Sequence, residues 1–186
     1  PKVQNQIKQK ENGILTGFMG CGKTTIGVKL SYRLRMTLED TDKLIERREK
    51  KSIGEIFAQD GEEAFRKMET ALLKEIGDRN YTQIISVGGG TPISPENRRI
   101  LQECGTVVYL EISPGLVYER LKEDTTRPLL QGGNVLSKIT ALMEERRRAY
   151  EECADIVVRV DGKEMEDILE EIVDGLDSMK AKWRQK

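Results

Sequence analysis

A glycine-rich turn that joins an apolar run to a lysine constrains the fold of this chain more than any other feature. The stretch GILTGFMGCGKTTIG runs from Gly13 to Gly27 and contains the pattern G-x-x-x-x-G-K-T. The glycines let successive backbone N–H groups face an anion, and the following helix adds its positive N-terminal end. An ordinary glycine turn is the alternative, but this turn connects an apolar run to a helix, as phosphate binding requires. The stretch therefore predicts a strand, a nucleotide phosphate loop and a helix.

The same loop supplies candidate ligands for ATP and Mg²⁺. The Lys23 ammonium is expected to reach the terminal phosphates, and the Thr24 hydroxyl is expected to ligate Mg²⁺. Cys21 lies beside Lys23 and a helix N-terminus, where a thiol is either filler in the loop or an activated group. The predicted ATP-binding residues of the loop are Gly20, Cys21, Gly22, Lys23, Thr24 and Thr25.

Apolar runs alternate with amphipathic stretches along the rest of the chain. Strands are predicted in GILTGF, MTLED, QIISV, TVVYLEI and DIVVRV, with helices between them. This alternation favours an α/β fold, a three-layer sandwich with a central parallel five-stranded sheet. With the phosphate loop after its first strand, the predicted fold resembles the P-loop kinase type. Ligands of such sheets bind at the carboxyl ends of the strands, so the segments after the strands should carry the chemistry.

The length of the chain suits one domain over 1–186. A polar lead-in is predicted over 1–12, a mobile lid over about 123–134 and a polar tail over 178–186, because these stretches lack apolar periodicity. The last helix is expected to end near Leu176.

Capping residues and periodicity predict helix starts and buried faces. Ser52, Ser94 and Ser113 stand at N-cap positions, the last two directly before a proline. The helix EEAFRKMETALLKEIG is predicted to bury one apolar stripe. The members of that stripe are Ala64, Met68, Ala71, Leu72 and Ile76.

Composition narrows the possible chemistry. The sequence contains no histidine, which excludes a histidine base, a histidine-ligated metal and a Ser-His-Asp triad. Cys21, Cys104 and Cys153 lack CxxC spacing and indicate reduced thiols. The net charge of −1 and the lack of a long apolar run favour neither nucleic acid nor membrane as a partner. We expect a cytoplasmic protein that is a monomer.

Two carboxylates follow the second predicted strand. In LEDTD, Asp40 and Asp42 are suited to hold a magnesium-bound water and to orient a hydroxyl group. Because the chain has no histidine, Asp42 is the best candidate for a general base. A helix N-cap at Asp40 or Thr41 is the alternative.

Further candidates follow in the middle of the chain. Arg66 and Glu69 lie three residues apart on one helix face, although such pairs are commonly surface ion pairs of little consequence. The triple glycine Gly88–Gly90 directly follows a buried strand, which suggests bare backbone against a ligand, with a plain loop as the alternative. Arg127 precedes a proline in the predicted lid, where it either swings onto phosphates or stays a solvated loop charge.

A run of three arginines, Arg146, Arg147 and Arg148, lies on a predicted helix. Most arginines in such a run face solvent. Taken together, the candidate residues would place a carboxylate near a hydroxyl of the substrate. They would also place arginines and backbone N–H groups around an anionic group of the substrate. This set describes a small polyhydroxylated carboxylic acid as the phosphate acceptor, and it fits gluconate as well as shikimate.

Six stretches of the chain, in order and at similar separations, resemble the shikimate kinase family. They are GFMGCGKTTIG, LEDTDKLIE, SIGEIFAQDGEEAFRKME, SVGGGTPISPENR, VVYLEIS and TRPLL. The resemblance runs from about Gly13 to Val160 and is far more specific than the phosphate loop alone. It implies transfer of the ATP γ-phosphoryl group to the 3-hydroxyl of shikimate, with Mg²⁺, in aromatic amino acid biosynthesis.

The resemblance also implies roles for the matching positions. The catalytic residues would be Lys23, Asp42 and Arg127. Shikimate would be bound by Asp42, Arg66, Gly88, Gly89, Gly90 and Arg146, with Glu69 orienting Arg66. The metal would be held by Thr24 and by Asp40, the latter either directly or through water. Arg120 would lie against adenine by cation–π attraction, and Arg127 would close onto the phosphates with the lid.

The chain departs from the family pattern in two stretches. The family often shows R-x-P-L-Y where this chain has RRRAY. Counting back from Tyr150 selects Arg146 as the carboxylate clamp, with Arg147 as its rival. After the last strand, VDGKEMED shows no clear adenine loop, so adenine contacts there are unassigned.

Two other functions stay open on the residues alone. One is a related kinase acting on gluconate or on a nucleotide, although no pocket for a second base is evident. The other is a noncatalytic nucleotide-binding regulator, which the intact Lys23, Thr24, Asp40 and Asp42 argue against. A role with nucleic acid would rest only on the arginine run and the KAKWRQK tail.

Overall fold

The computed structural model describes residues 11–122 and 133–184. Five strands are formed within these residues: β1 (Asn12–Thr16), β2 (Thr37–Asp40), β3 (Gln83–Ser86), β4 (Gly105–Glu111) and β5 (Ile156–Arg159). The α-helices within them are α1 (Lys23–Leu34), α2 (Thr41–Glu49), α3 (Ile53–Asp60), α4 (Glu62–Gly77), α5 (Pro95–Cys104), α6 (Pro114–Leu121), α7 (Val135–Cys153) and α8 (Met165–Arg184). A short 3₁₀ helix, Thr91–Ile93, precedes α5.

The strands form one parallel sheet in the order β2-β3-β1-β4-β5. The central strand β1 pairs with β3 on one side and with β4 on the other, so Ile14 lies opposite both Ile85 and Val107. The predicted five-stranded parallel sheet is confirmed. Because the chain after β1 leaves the middle of the sheet, the first loop opens into the crevice where ligands of such sheets bind.

Helices cover both faces of the sheet. Neighbouring residues of a strand point to opposite faces, and in β1 Ile14 and Leu15 belong to two separate apolar clusters. The cluster around Leu15 includes residues of α1, α6, α7 and α8, and the cluster around Ile14 includes residues of α2, α3, α4 and α5. This arrangement is the predicted three-layer sandwich.

The three predicted serine caps are confirmed. Ser52 Oγ accepts a hydrogen bond from the Glu55 N–H at 3.1 Å, and Ser113 Oγ accepts one from the Leu116 N–H at 3.3 Å. Ser94 Oγ accepts one from the N–H three residues later at 3.4 Å. Each bond satisfies a helix N–H that has no partner within the helix.

The predicted buried stripe of α4 is confirmed in part. Leu72 and Ile76 are buried, Ala64 and Met68 are partly buried, and Ala71 is exposed. The prediction missed three residues of the buried face, namely Phe65, Glu69 and Leu73. Of these, Glu69 is buried as a hydrogen-bonded carboxylate, which apolar periodicity does not detect.

Both predicted chain ends also need correction. The polar lead-in ends earlier than expected, because Asn12 is already in β1 and only 4% exposed. Its side chain donates to the Cys104 carbonyl at 2.9 Å and accepts from the Gln83 N–H at 2.8 Å. Helix α8 continues past Leu176 to Arg184, because a helix does not need buried residues in its last turns.

Most of the predicted lid, about 123–134, lies outside the described residues, and so does Arg127. Among the residues that are described, no helix is long and apolar enough to cross a membrane.

Candidate active site

A cavity of about 790 Å³ opens at the carboxyl edge of the sheet. The phosphate loop, the start of α2, helices α3 and α4, the triple glycine and α7 contribute to its walls. The predicted site residues that line it are Gly20, Gly22, Lys23, Thr24, Thr25, Asp40, Asp42, Arg66, Gly88, Gly89, Gly90 and Arg146. The cavity therefore joins the predicted phosphate end and the predicted acceptor end in one space.

The phosphate loop connects β1 to the first residue of α1, Lys23. The Lys23 ammonium lies across the loop and donates to the Gly17 carbonyl at 2.6 Å and to the Phe18 carbonyl at 3.4 Å. These bonds hold the cation at the mouth of the loop. Thr24 follows on the first turn of α1, where its side chain is exposed at the cavity.

Cys21 faces away from the cavity. Its side chain is 1% exposed and belongs to the apolar core, and its sulfur lies 3.6 Å from Lys23 Nζ. Its backbone N–H donates to the Phe18 carbonyl at 3.1 Å, a bond that shapes the loop. Burial in the apolar core favours the interpretation that Cys21 packs inside the loop and is not an activated thiol. The Cys21 side chain therefore does not make the predicted contact with ATP.

Asp40 caps helix α2 and also lines the cavity. One of its oxygens accepts from the Lys43 N–H at 3.1 Å, so the predicted N-cap alternative is confirmed. The cap uses a single oxygen, and the carboxylate keeps further acceptor capacity toward the cavity.

Asp42 lies on the first turn of α2 in an unusual environment. Its Oδ1 is buried and has no hydrogen-bond partner among the described residues. Burial, together with the negative charges of Glu69 and Asp40, raises the pKa of Asp42 to about 7, while Lys23 and Arg66 oppose the shift. A carboxylate with this pKa can exchange a proton near neutral pH.

This environment predicts that Asp42→Asn stabilises the ligand-free protein. Between pH 4 and pH 7, Asp42 is protonated in the folded protein and ionised in the unfolded chain. The contribution of Asp42 to the free energy of unfolding of the wild type therefore falls as pH rises through about 7. A shift of about three units corresponds to at most about 4 kcal/mol. We expect the melting temperature of Asp42→Asn to exceed that of the wild type by roughly 5 °C at pH 8.

The difference in melting temperature should shrink as pH falls from about 7 and approach zero below about pH 4, where Asp42 becomes neutral in both states. Thermal melts of both proteins across this pH range measure it. Equal melting temperatures at pH 8 would contradict the raised pKa.

Arg66 and Glu69 form a partly buried pair rather than a surface one. Glu69 is 1% exposed, and its Oε1 accepts from Arg66 Nη1 at 2.6 Å. The other oxygen of Glu69 accepts a short hydrogen bond from the Thr91 hydroxyl. Glu62, one turn earlier, accepts from Arg66 Nη2 at 3.1 Å. The guanidinium is thus fixed at the cavity wall, and Thr91 is a supporting residue that the sequence analysis missed.

The triple glycine is required by the side chains of the site itself. A Cβ at Gly88 would lie 2.7 Å from Asp42 Oδ1 and 3.0 Å from Glu69 Oε2. A Cβ at Gly90 would lie 2.6 Å from Arg66 Cζ. These glycines make room for two carboxylates and a guanidinium, and their predicted contact with a ligand stays a prediction.

Arg146 is the arginine of the run that reaches the cavity. It is 3% exposed, and its guanidinium carbon lies 5.8 Å from the centre of the Phe18 ring. Its Nε is buried without a hydrogen-bond partner among the described residues. Arg147 is exposed and pairs with Glu144 at 2.8 Å. The geometry therefore selects Arg146 over Arg147 as the cation at the acceptor end.

Arg120 is on α6 beside the phosphate loop. Its side chain is exposed, and Nη1 donates to the Gly20 carbonyl at 2.8 Å. It thus lies against the loop but does not line the cavity.

Comparison with known proteins assigns the chain to a family. The family model described as shikimate kinase matches residues 19–177. A shikimate kinase of Bacillus mycoides is 46% identical over 158 residues, which cover 85% of this chain and 93% of the relative. The chain belongs to the shikimate kinase family. It is therefore an ATP-dependent kinase, and the family resemblance predicted from the six stretches is confirmed.

Solved structures support the same assignment. The shikimate kinase of Acinetobacter baumannii in complex with shikimate superposes with a TM-score of 0.85 at 33% identity, over 94% of this chain and 97% of that one. A gluconokinase of Sinorhizobium meliloti superposes with a TM-score of 0.57 at 13% identity, over 93% of this chain and 95% of that one. The second likeness is one of fold alone, so the comparisons favour shikimate kinase over the gluconate alternative.

Proposed function

We propose that the chain transfers the γ-phosphoryl group of ATP to the 3-hydroxyl of shikimate, which yields ADP and shikimate 3-phosphate. The observation that carries the proposal is one cavity with a phosphate loop at one end and Asp42, Arg66 and Arg146 at the other. One carboxylate and two guanidinium groups suit an acceptor with several hydroxyls and a single carboxylate. The relative from Acinetobacter baumannii, solved with shikimate, adds support.

At the phosphate end, Lys23 would contact the terminal phosphates of ATP. The donor set also fits Mg²⁺, because Thr24 offers a hydroxyl and Asp40 retains a carboxylate oxygen beyond its capping bond. The described residues contain no cluster of three metal-binding side chains, which agrees with an ion held mainly by phosphates and water. When bound, Mg²⁺ neutralises charge on the β- and γ-phosphates.

At the acceptor end, Asp42 would orient the attacking hydroxyl and accept its proton. Asp42 lines the cavity, and its pKa of about 7 suits proton transfer near neutral pH. Since phosphoryl transfer asks little covalent chemistry of a protein, the main contribution of these side chains would be to hold the two reactants in line.

The carboxylate of the acceptor would lie between Arg66 and Arg146. Glu69 and Thr91 fix the first guanidinium, and burial fixes the second. A bidentate guanidinium–carboxylate contact is strong and directional, so two of them would determine which face of the ring meets ATP. Gly88–Gly90 would lie along that ring.

The remaining assignments stay predictions. Arg127 is expected to close onto the phosphates with the lid, and Arg120 is expected to lie against adenine. A monomer in the cytoplasm, without nucleic-acid or membrane partners, is likewise expected. No observation favours a noncatalytic regulator, because the cavity contains Lys23, Thr24, Asp40 and Asp42 together.

ADP release tests the proposal directly. The purified chain is incubated with ATP and Mg²⁺ and with shikimate, with gluconate or with no acceptor. Turnover that requires shikimate supports the assignment, whereas stimulation by gluconate alone would replace it. Nucleotide binding without turnover on any acceptor would favour the noncatalytic regulator.

Gly90→Ala should disable the acceptor end selectively. The backbone at Gly90 has φ −91° and ψ −7°, which alanine adopts freely, so only the contact with Arg66 opposes the substitution. Arg66 must move, and misplacement by about 1 Å can lower activity a hundredfold. We expect KM for shikimate to rise at least about tenfold, with KM for ATP unchanged.

Gly115→Ala is the matched control for this substitution. Gly115 is in helix α6, and a Cβ there meets nothing within 4 Å. Its kinetics should equal those of the wild type. A wild-type KM for shikimate in Gly90→Ala would show that the position of Arg66 does not matter for acceptor binding.

A further inference from the structure

Tyr150 lies behind the triple glycine, one helical turn after Arg146 on α7. Its side chain is 1% exposed, and its hydroxyl donates to the Gly89 carbonyl at 2.6 Å. Its ring stacks on Tyr109 of β4, with ring centres 5.2 Å apart and planes inclined by 28°. The stack and the burial leave the hydroxyl a single position, directly under the glycine segment.

Gly89 is where three parts of the cavity wall meet. A Cβ at Gly89 would lie 3.3 Å from Arg146 Nη1, 3.5 Å from the Gly17 carbonyl and 3.7 Å from the Met19 N–H nitrogen. The glycine segment is thus packed between the acceptor-end cation and the phosphate loop. A shift of Gly89 would change the distance between these two ends of the cavity.

The hydrogen bond from Tyr150 also orients the next peptide group. The described residues contain no cis peptide bond, and in a trans peptide the carbonyl and the following N–H point in opposite directions. Because the Gly89 carbonyl points to Tyr150, the Gly90 N–H points away from it. This N–H has no hydrogen-bond partner among the described residues, and Gly90 lines the cavity.

We propose that Tyr150 is a positioning residue for the phosphate acceptor. Its hydroxyl fixes the peptide between Gly89 and Gly90, and thereby fixes the surface that the glycine segment presents beside Arg146. Tyr150 touches neither substrate in this arrangement and acts through the Gly89 backbone and through its contact with the Arg146 side chain. The inference deepens the proposed function and rests on it.

Tyr150→Phe tests the role of the hydroxyl, because phenylalanine keeps the ring stack and removes only the hydroxyl, with its contacts to the Gly89 carbonyl and to Arg146. Loss of one hydrogen bond corresponds to about 1 kcal/mol, which is about a fivefold change in binding. We expect KM for shikimate and its Kd by isothermal titration calorimetry to rise about fivefold. We expect KM for ATP and kcat at saturating shikimate to stay within about twofold of the wild type.

Tyr109→Phe is the matched control, since it removes a hydroxyl from the other ring of the same stack. The Tyr109 hydroxyl makes no hydrogen bond to a described residue, so its removal should leave both KM values unchanged. The inference is overturned if Tyr150→Phe behaves like the wild type, if it raises both KM values equally, or if Tyr109→Phe raises KM for shikimate as much. Wild-type protein that does not phosphorylate shikimate would instead refute the proposed function, and this inference with it.

Discussion

Asp42→Asn should lower the turnover of shikimate at least about a hundredfold while nucleotide binding survives. Asparagine preserves the shape of the side chain but cannot accept the hydroxyl proton, and general-base catalysis contributes about 10²–10⁴ in rate. Nucleotide binding should survive because the phosphate loop and Lys23 lie at the other end of the cavity. Steady-state kinetics at saturating shikimate and calorimetric titration with ADP measure the two effects separately.

Asp78→Asn provides the matched control for this loss. Asp78 is exposed at the end of helix α4 and does not line the cavity, so its neutralisation should leave kcat unchanged. Normal turnover in Asp42→Asn would remove Asp42 from the role of base. A loss of turnover accompanied by an equal loss of ADP binding would point to damage of the whole cavity instead.

The combination of lower turnover with higher stability in one variant would have a single physical origin. The Asp42 carboxylate is held near Glu69 and Asp40 with a buried, unpartnered oxygen. Such a group is unfavourable in the ligand-free protein, because a buried charge without a hydrogen-bond partner costs free energy. Stabilising substitutions at the expense of activity are typical of groups that are arranged for a substrate rather than for the fold.

The sequence was most informative where one local pattern determines one structure. The phosphate loop, the five strands and the caps at Ser52, Ser94 and Ser113 all depend on short-range chemistry, and all agree with the structure. The predicted order of strands and helices was enough to place Asp40 and Asp42 at the carboxyl edge of the sheet, because that edge follows from parallel pairing.

The predictions failed where distant segments decide. Glu69 is buried by its bonds to Arg66 and to Thr91, a residue 22 positions away, so apolar periodicity alone did not place it on the buried face of α4. Gly88 and Gly90 also lie against side chains of α2 and α4, a packing constraint that a local pattern does not reveal.

The choice between Arg146 and Arg147 illustrates the same limit, and it leads to the second large expected effect. The two residues are adjacent in one run of arginines, and the charge pattern of that run does not distinguish them. Arg146 is 3% exposed, whereas Arg147 is on the solvent face of α7. We expect Arg146→Met to lower kcat/KM for shikimate about 10²–10³-fold, since it removes a charged partner of the acceptor carboxylate from a desolvated site. KM for ATP should change less than about threefold.

Arg147→Met should leave these constants unchanged, because Arg147 makes only an exposed ion pair with Glu144. Arg146→Met should also fold well. Arg146 Nε is buried without a partner among the described residues, so methionine removes an unfavourable charge and fills similar volume. A loss of activity with an unchanged or higher melting temperature would identify Arg146 as a residue kept for the acceptor. If Arg147→Met were the damaging variant, or if Arg146→Met weakened ATP and shikimate equally, the clamp assignment would be refuted.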